Sequence, residues 1–493
     1  MVALTDMFFS FVDAISVIVW LVVVVDVVAI FVLLFLERMD PRSFVAWLVI
    51  FIFLPVLGVV LYLFLGCTLY RKHVFSLKEI EDERLAGQYL DEFENIDADL
   101  QADDVDPAIR GFAKAIRNAG GWGYSVNNDV ELITEGQEKM DRLFGDLRQA
   151  KDFILFQYYI IRDDEVGNEL MEILAQKAEE GLDVYLLTDA FGNGKGPKAG
   201  IRRFKAAGGH FALFHRPIKL LLSPKKNHRN HRKIAIIDGG ISYCGGYNIG
   251  REYIHQGRFG YWRDASVRIR GAAIVPLTLR TVADWNYTAK KDRITDVGRF
   301  ISDEAYANEG TDRVQIVSGG PDTYRNNPVR LQYLEMIRHA RRVLYITTPY
   351  ITPDGMITEC IKCAAIAGVD TRVIIPAVGD HIFVHWNTLS AANELMRYGV
   401  RVYLHQNGFN HAKTIICDET FLSVGSANMD DRSLNLNFET NAMIYSRSAR
   451  DEMHRMFMHD LDYCTEYSCE EYESMPFKYK VRTKISYFFK LIS

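Results

Sequence analysis

Much of this chain is written twice. HRKIAIID (His231–Asp238) and HAKTIICD (His411–Asp418) each carry a histidine, a lysine two residues on and an aspartate five further. At the same offsets come Gly245-Gly246-x-Asn248 in one case and Gly425-Ser426-x-Asn428 in the other. Upstream, AKDFILFQYYI matches ARRVLYITTPYI, which aligns Tyr159 with Tyr350. GLDVYLLTD matches GVDTRVIIP, and GGHFALFH matches YGVRVYLH. Self-similarity in a fixed order marks an internal duplication, which constrains the fold before any local reading does. Each copy alternates apolar strands with helices, so the expected class is α/β with mostly parallel strands. Two homologous α/β repeats are expected to pack around a pseudo-twofold axis.

The segments outside the duplication differ in character. Ile15 to Leu36 and Phe44 to Leu65 are nearly unbroken apolar runs, each meeting the length of about 20 residues that a membrane-spanning helix needs. The first has no basic n-region and no small-residue cleavage site, so it does not read as a signal peptide. The short connector ERMDPRS makes the pair a hairpin. Arg71, Lys72 and Lys78 outweigh Arg38 and Arg42, which predicts a cytoplasmic location for the two repeats. Asp26 in the first span is either functional, or is neutral or turned toward the second helix or another protomer. The expected division is a membrane anchor over 1–72, with spans at about 15–36 and 44–65, and an acidic, solvated linker over 73–110. Repeats over 111–300 and 301–470 come next, then a basic amphipathic segment over 471–493. That last segment, FKYKVRTKISYFFKLIS, either lies on an anionic bilayer or docks on the protein. A net charge of -6 argues against a nucleic-acid partner. The seven scattered cysteines suit a reducing compartment, and Cys360-x-x-Cys363 has no second pair at metal spacing.

Residues two apart on a strand share a face, so His231 points with Lys233 and His411 with Lys413. Two such pairs, brought together by the pseudo-symmetry, form a phosphoryl-transfer centre. One imidazole attacks phosphorus and the other protonates the departing alkoxide. The lysines neutralise the phosphoryl oxygens. Asn248 and Asn428 are candidate donors to those oxygens, while Gly245, Gly246, Gly425 and Ser426 bring backbone close to them. Asp238 and Asp418 complete the two motif triplets. By parity, however, they lie on the opposite face or past the strand end, which favours a strand-end hydrogen bond over chemistry. A nucleophilic imidazole also needs its other nitrogen held. Asp264 in YWRDASVRIRG and Glu439 in SLNLNFETN come 33 and 28 residues after their own histidines and are the expected holders. With this much fixed positive charge, no metal and no cofactor are expected.

The doubled H-x-K-x4-D with its trailing G-G/S-x-N resembles the phospholipase D superfamily. Within it, NHRNHRKIAIIDG, GGYNIGREY, GFNHAKTIICDETFLSVGSANMDDRSLNLNFETN and the apolar hairpin are similar to those of bacterial cardiolipin synthases. The resemblance implies transphosphatidylation, in which one phosphatidylglycerol forms a phosphatidyl-histidine and releases glycerol. A hydroxyl of a second phosphatidylglycerol then attacks to give cardiolipin. It implies His231 as nucleophile and His411 as acid and then base, an assignment the symmetric motifs leave open. It also implies a bacterial cytoplasmic membrane location with anionic membrane lipids as partners. Tyr159 and Tyr350, at the ends of equivalent strands, either sit near the site or pack at the sheet edge, and a homo-oligomer is left open. A hydrolase or another phosphatidyltransferase on the same centre is the alternative.

The copies differ in one respect. His215 precedes His231 by 16 residues, whereas His405 precedes His411 by 6, so the first repeat carries about ten more. The extra stretch, RPIKLLLSPKKNHRN, rings Leu220, Leu221 and Leu222 with Lys219, Lys225, Lys226 and Arg229. It suits contact with lipid headgroups or is an ordinary loop.

Overall fold

The computed structural model describes residues 2–36, 41–65, 75–89, 105–120, 122–215, 227–323 and 327–492. The lysine- and leucine-rich insertion at 216–226, Arg38, Arg71 and Lys72 lie outside the described residues. So does most of the acidic stretch beyond Tyr89.

The first repeat supplies β1 (Tyr124–Ile133), β2 (Phe153–Tyr158), β3 (Asp183–Asp189), β4 (His210–Phe214), β5 (Ile234–Ile237), β6 (Ile241–Gly245), β7 (Trp262–Arg263) and β8 (Ser266–Arg270). The second supplies β9 (Asp312–Gly319), β10 (Val343–Thr347), β11 (Ile351–Thr352), β12 (Asp370–Pro376), β13 (Arg401–His405), β14 (Phe409–Asn410), β15 (Thr414–Cys417), β16 (Phe421–Gly425), β17 (Met429–Asp430), β18 (Glu439–Ile444) and β19 (Cys464–Tyr467). Fifteen of them form one sheet in the order β19-β13-β12-β10-β15-β16-β18-β9-β1-β8-β6-β5-β2-β3-β4. Moving outward from the central β9–β1 pair, β18, β16, β15, β10, β12 and β13 correspond in order to β8, β6, β5, β2, β3 and β4, and β19 is added at the outer edge of the second repeat, so the duplication is written into the sheet. The two repeats share a backbone ladder and one continuous apolar core, to which Phe112, Val267 and Trp285 contribute alongside Ile316, Ile416 and Met443.

Mostly parallel pairing does not hold. Within the fifteen-stranded sheet, parallel neighbours are confined to β2-β3-β4 and β10-β12-β13, and every other adjacent pair is antiparallel. Two small two-stranded pairs, β11–β17 and β7–β14, are parallel as well. Helical crossovers such as Glu165–Glu179 permit the parallel part, because parallel strands need a long return path. After the motif strand the chain turns directly instead. Asp238 (φ +51°) and Gly239 (φ +67°) occupy left-handed conformations, as a tight Asp-Gly hairpin requires, and β6 returns against β5. Strands β2, β5, β10, β15, β16 and β18 are almost wholly buried, which explains why apolar residues dominate all but β18. Strand β18 begins instead with Glu439, Thr440 and Asn441, each hydrogen-bonded through its side chain.

The N-terminal region departs from two simple spans. The first helix runs Val2–Phe35, but the second apolar run breaks into helices Pro41–Phe53 and Leu57–Leu65. Pro55 sits at the break, and Val56 there has φ +65°. The two short helices fold back on each other, with Tyr62 edge-on to Trp47 and Phe51 at 5.2 and 5.4 Å. Among the described residues, no helix is long and apolar enough to cross a membrane. Asp26 faces the second run: its Oδ1 accepts the Val56 N–H at 3.4 Å, at the break itself.

The described part of the linker is not a solvated spacer. Its described helix, Ser76–Tyr89, lies against helix Ile274–Thr288. Lys78 is only 2% exposed and ion-pairs with Asp82, Asp284 and Asp322 at 2.6, 3.0 and 2.8 Å. Lys78 therefore cannot serve as an orienting charge at a lipid surface, which leaves that role to Arg71 and Lys72. The C-terminal segment forms a helix, Phe477–Ile492, docked on helix Ile382–Met396 with Tyr479 stacked on Trp386 at 4.8 Å.

Candidate active site

The residues before each motif strand cross to the other repeat. Strand β14, which ends at Asn410, pairs in parallel with β7, which ends at Arg263, and the His411 N–H donates to the Arg263 carbonyl at 2.7 Å. Symmetrically, Asn230 bridges to Phe438, and the His231 N–H donates to the Phe438 carbonyl at 2.9 Å. Each histidine thus enters beside the carboxylate of the opposite repeat. His411 Nδ1 lies 2.6 Å from Asp264 Oδ2, and His231 Nδ1 lies 3.0 Å from both Glu439 oxygens. Asp264 and Glu439 do meet histidines, but not the ones that precede them in their own repeats. The expected pairing is exchanged, because sequence separation cannot see the crossover.

Position 246/426 explains why glycine stands in one copy and serine in the other. A Cβ on Gly246 would come within 2.0 Å of Asp264 Oδ1, so the missing side chain makes room for that carboxylate. Ser426 donates its hydroxyl to Glu439 Oε2 at 2.5 Å, and Asn437 adds a bond to Oε1 at 3.2 Å. Gly246 and Ser426, expected to cradle a phosphate, instead serve the carboxylates. Asn248 is also engaged elsewhere. Its Nδ2 donates to the Tyr253 hydroxyl at 2.8 Å and its Oδ1 accepts from Ile160 N–H at 3.2 Å. Its counterpart Asn428 differs, since its Oδ1 is buried with no hydrogen-bond partner among the described residues.

The motif aspartates brace the sheet rather than the chemistry. Asp238 accepts the backbone N–H groups of Lys151, Asp152 and Phe153 at 2.8–3.0 Å, at the start of β2. Asp418 accepts those of Arg341, Arg342 and Val343 at 2.8–2.9 Å, at the start of β10. Five residues of strand separate each aspartate from its lysine, roughly 16 Å at about 3.3 Å per residue. Their place in a catalytic set is corrected by that distance. Of the two aligned tyrosines, Tyr159 lies edge-on to His231 at 4.9 Å with Lys233 Nζ 5.4 Å from its ring centre. Tyr350 donates to Asp380 at 2.6 Å. Sequence reasoning missed Trp262, 5.3 Å from the His411 ring, and Tyr253, the partner of Asn248. A signal existed for both, since Trp262 stands two residues before Asp264 and Tyr253 closes GGYNIGREY. Asp380 has no such signal.

The site is buried, and burial decides its charge states. Loss of water pushes His231 down to about 4 against the pull of Glu439, and lowers His411 as well. With no substrate bound, both rings are neutral at pH 7. An ionised carboxylate at Nδ1 accepts a hydrogen bond from that nitrogen and so keeps the ring proton there, which leaves the lone pair on Nε2. Glu439 and Asp264 are held below their usual range because nearby cations and histidine hydrogen bonds outweigh burial. Lys233 Nζ donates to the His231 carbonyl at 2.7 Å, and Lys413 Nζ likewise to the His411 carbonyl. Burial lowers these lysines to about 7 and about 8.

These shifts give the site a pH signature. Between about 4 and 6.5 the unfolded chain binds the proton that folded His231 refuses, so stability rises with pH over that window. Above about 7 it rises again, because the unfolded lysines, at their ordinary value of 10.5, still hold protons that folded Lys233 and Lys413 release. Binding of an anionic phosphodiester needs those protons. The expected result is a kcat/KM that falls through a midpoint of about 7 to 8 while the thermal midpoint of the free protein still climbs. A kcat/KM flat to pH 9 would remove the lysines from phosphate binding.

Comparison with known proteins gives two matches to the cardiolipin synthase, phospholipase D-like domain, at residues 143–258 and 333–461. A phospholipase D-nuclease N-terminal segment matches at 24–66. The chain is 38% identical over 466 residues to a cardiolipin synthase of Staphylococcus aureus, covering 92% of each chain. It is 36% identical over 485 residues to the major cardiolipin synthase ClsA of Bacillus subtilis, covering 96% of this chain and 98% of that one. Among solved structures it is similar to a phosphatidylserine synthase of Haemophilus influenzae, with a TM-score of 0.61 and 15% identity. That similarity spans 78% of this chain and all of the other, and it bears on the fold alone.

Proposed function

Because the chain belongs to the bacterial cardiolipin synthases of the phospholipase D superfamily, we propose that its site joins two phosphatidylglycerol molecules into cardiolipin and glycerol. The observation that carries the chemistry is the pair of buried imidazoles, each held at Nδ1 by a carboxylate and each beside a buried lysine. His231 Nε2 attacks the phosphorus of one phosphatidylglycerol. The bond from phosphorus to glycerol oxygen breaks, and His411, entering this step as the imidazolium that Asp264 and the bound phosphodiester anion stabilise, gives that oxygen its Nε2 proton as glycerol leaves. His411 then takes the proton from a terminal hydroxyl of the second phosphatidylglycerol. The resulting oxygen displaces His231 from phosphorus, which restores both rings. Lys233 and Lys413 hold the non-bridging oxygens through both steps.

In this reading the apolar N-terminal helices sit in the bacterial cell membrane and the repeats on its cytoplasmic side. Trp20 and Phe53 support it, being 70% and 76% exposed on helices that present apolar side chains outward. The test uses the membrane-embedded chain with phosphatidylglycerol as sole substrate. Cardiolipin and glycerol should appear in equal amounts. Phosphatidate without cardiolipin would sink the synthase reading and make the protein a hydrolase.

A further inference from the structure

The linker helix reaches further into the fold than an anchor requires. Lys78 belongs to a buried cluster in which three cations, Lys78, Arg232 and Arg280, face three carboxylates, Asp82, Asp284 and Asp322. Burial and Arg280 oppose the charge on Lys78, yet the carboxylates prevail and its pKa is raised. Asp284 divides its two oxygens. Oδ1 faces Lys78 at 3.0 Å and Arg280 at 3.2 Å, while Oδ2 receives Arg232 Nη1 at 2.5 Å, Gln157 Nε2 at 2.8 Å and Asn230 Nδ2 at 3.1 Å.

Arg232 is the residue between His231 and Lys233. Its remaining donors go to the Glu439 carbonyl at 3.2 Å, Thr440 Oγ1 at 3.0 Å and the Gly319 carbonyl at 3.0 Å. One guanidinium therefore pins the catalytic segment of the first repeat to the strand that carries Glu439. A second path runs alongside. Phe75, just before the linker helix and fully buried, packs edge-on against Phe438 at 5.3 Å, and the Phe438 carbonyl accepts the His231 N–H.

We infer that Lys78 is a positioning residue for the reaction. Its ammonium sets the Asp284 carboxylate, Asp284 sets Arg232, and Arg232 fixes the backbone that carries His231 and Lys233. The catalytic centre is complete only when the segment leading from the apolar helices is docked, so membrane attachment and turnover share one contact. This inference rests on the reading of His231 and Lys233 as catalytic.

The test uses the full chain in phosphatidylglycerol vesicles, with kcat and KM counted per folded molecule from the cooperative thermal transition. Lys78→Met should lower kcat by about 100-fold, the scale of a roughly 1 Å misplacement, with KM changed less than about twofold. Because removing one buried charge can unfold the chain, Lys78→Met/Asp322→Asn restores the charge balance. It should fold stably and remain as slow. Asp82→Asn also removes a partner of Lys78 but leaves Asp284 in place, so it should lose stability and keep its kcat. Full kcat in the balanced double variant, or an equal fall in Asp82→Asn, would reduce the cluster to a structural one. An active His231→Ala would instead sink the reading of the site on which the inference stands.

Discussion

Alanine at His231 or His411 lowers cardiolipin formation from phosphatidylglycerol by about 10⁴-fold or more. Each imidazole is assigned one half of every proton and phosphoryl movement, and neither has a substitute within reach. Each lysine Nζ is turned to a histidine backbone carbonyl, and Asp264 and Glu439 face the Nδ1 side of the rings. Residues that act as one unit lose their effects together, so the double variant should be no slower than the slower single one. The singles differ in what they trap. With a phosphatidyl donor whose leaving group departs without a proton, His411→Ala should still form the covalent phosphatidyl-enzyme and then stall. His231→Ala should form none. Labelling of the protein from a phosphorus-32 donor reads this directly. Residual turnover within tenfold of the parent in either variant would sink the two-histidine mechanism.

How much of this was legible depends on which interactions are local. Repeat spacing and strand parity are local, and they located both His-Lys pairs and placed Asp238 and Asp418 off the reacting face. The parallel strands were legible from the helix-strand alternation. The antiparallel remainder had a signal too, in Asp238-Gly239 between two apolar runs. Pro55 and Gly58 inside the second apolar run likewise announced its break. The chain crossover at β7–β14 was not legible. It exists only once two repeats are packed, and it reassigns Asp264 and Glu439 without altering a letter of either motif. Nor could composition reveal Lys78, which stands in a polar, acidic segment typical of solvated helices. Its burial depends on Asp284 and Asp322, more than 200 residues away. Gly246 and Ser426 show the same limit in small: one leaves space for a carboxylate and the other donates to one, and both look like a phosphate-cradling pair in sequence.

The exchanged pairing makes its own prediction, and a large one. Glu439→Gln keeps the size of the side chain but replaces an acceptor-only group with one that can also donate. The His231 ring can then settle in the other tautomer, with the proton on Nε2 and no lone pair for phosphorus. In an established triad the same change costs about 10⁴-fold in kcat. Here it also removes the counter-charge that sustains Lys233 as a cation, because burial already holds that lysine at about 7. We expect kcat to fall by about 10³- to 10⁴-fold for Glu439→Gln and similarly for Asp264→Asn, which disturbs His411. The decisive comparison is which histidine each variant imitates. If the pairs cross as the geometry shows, Glu439→Gln should fail to form the phosphatidyl-enzyme, as His231→Ala does, although Glu439 lies in the repeat of His411. Asp264→Asn should form it and stall, as His411→Ala does. The opposite grouping would return each carboxylate to its own repeat. Under the crossed arrangement neither repeat holds a complete histidine–carboxylate pair by itself, so the site exists only where two repeats are packed together.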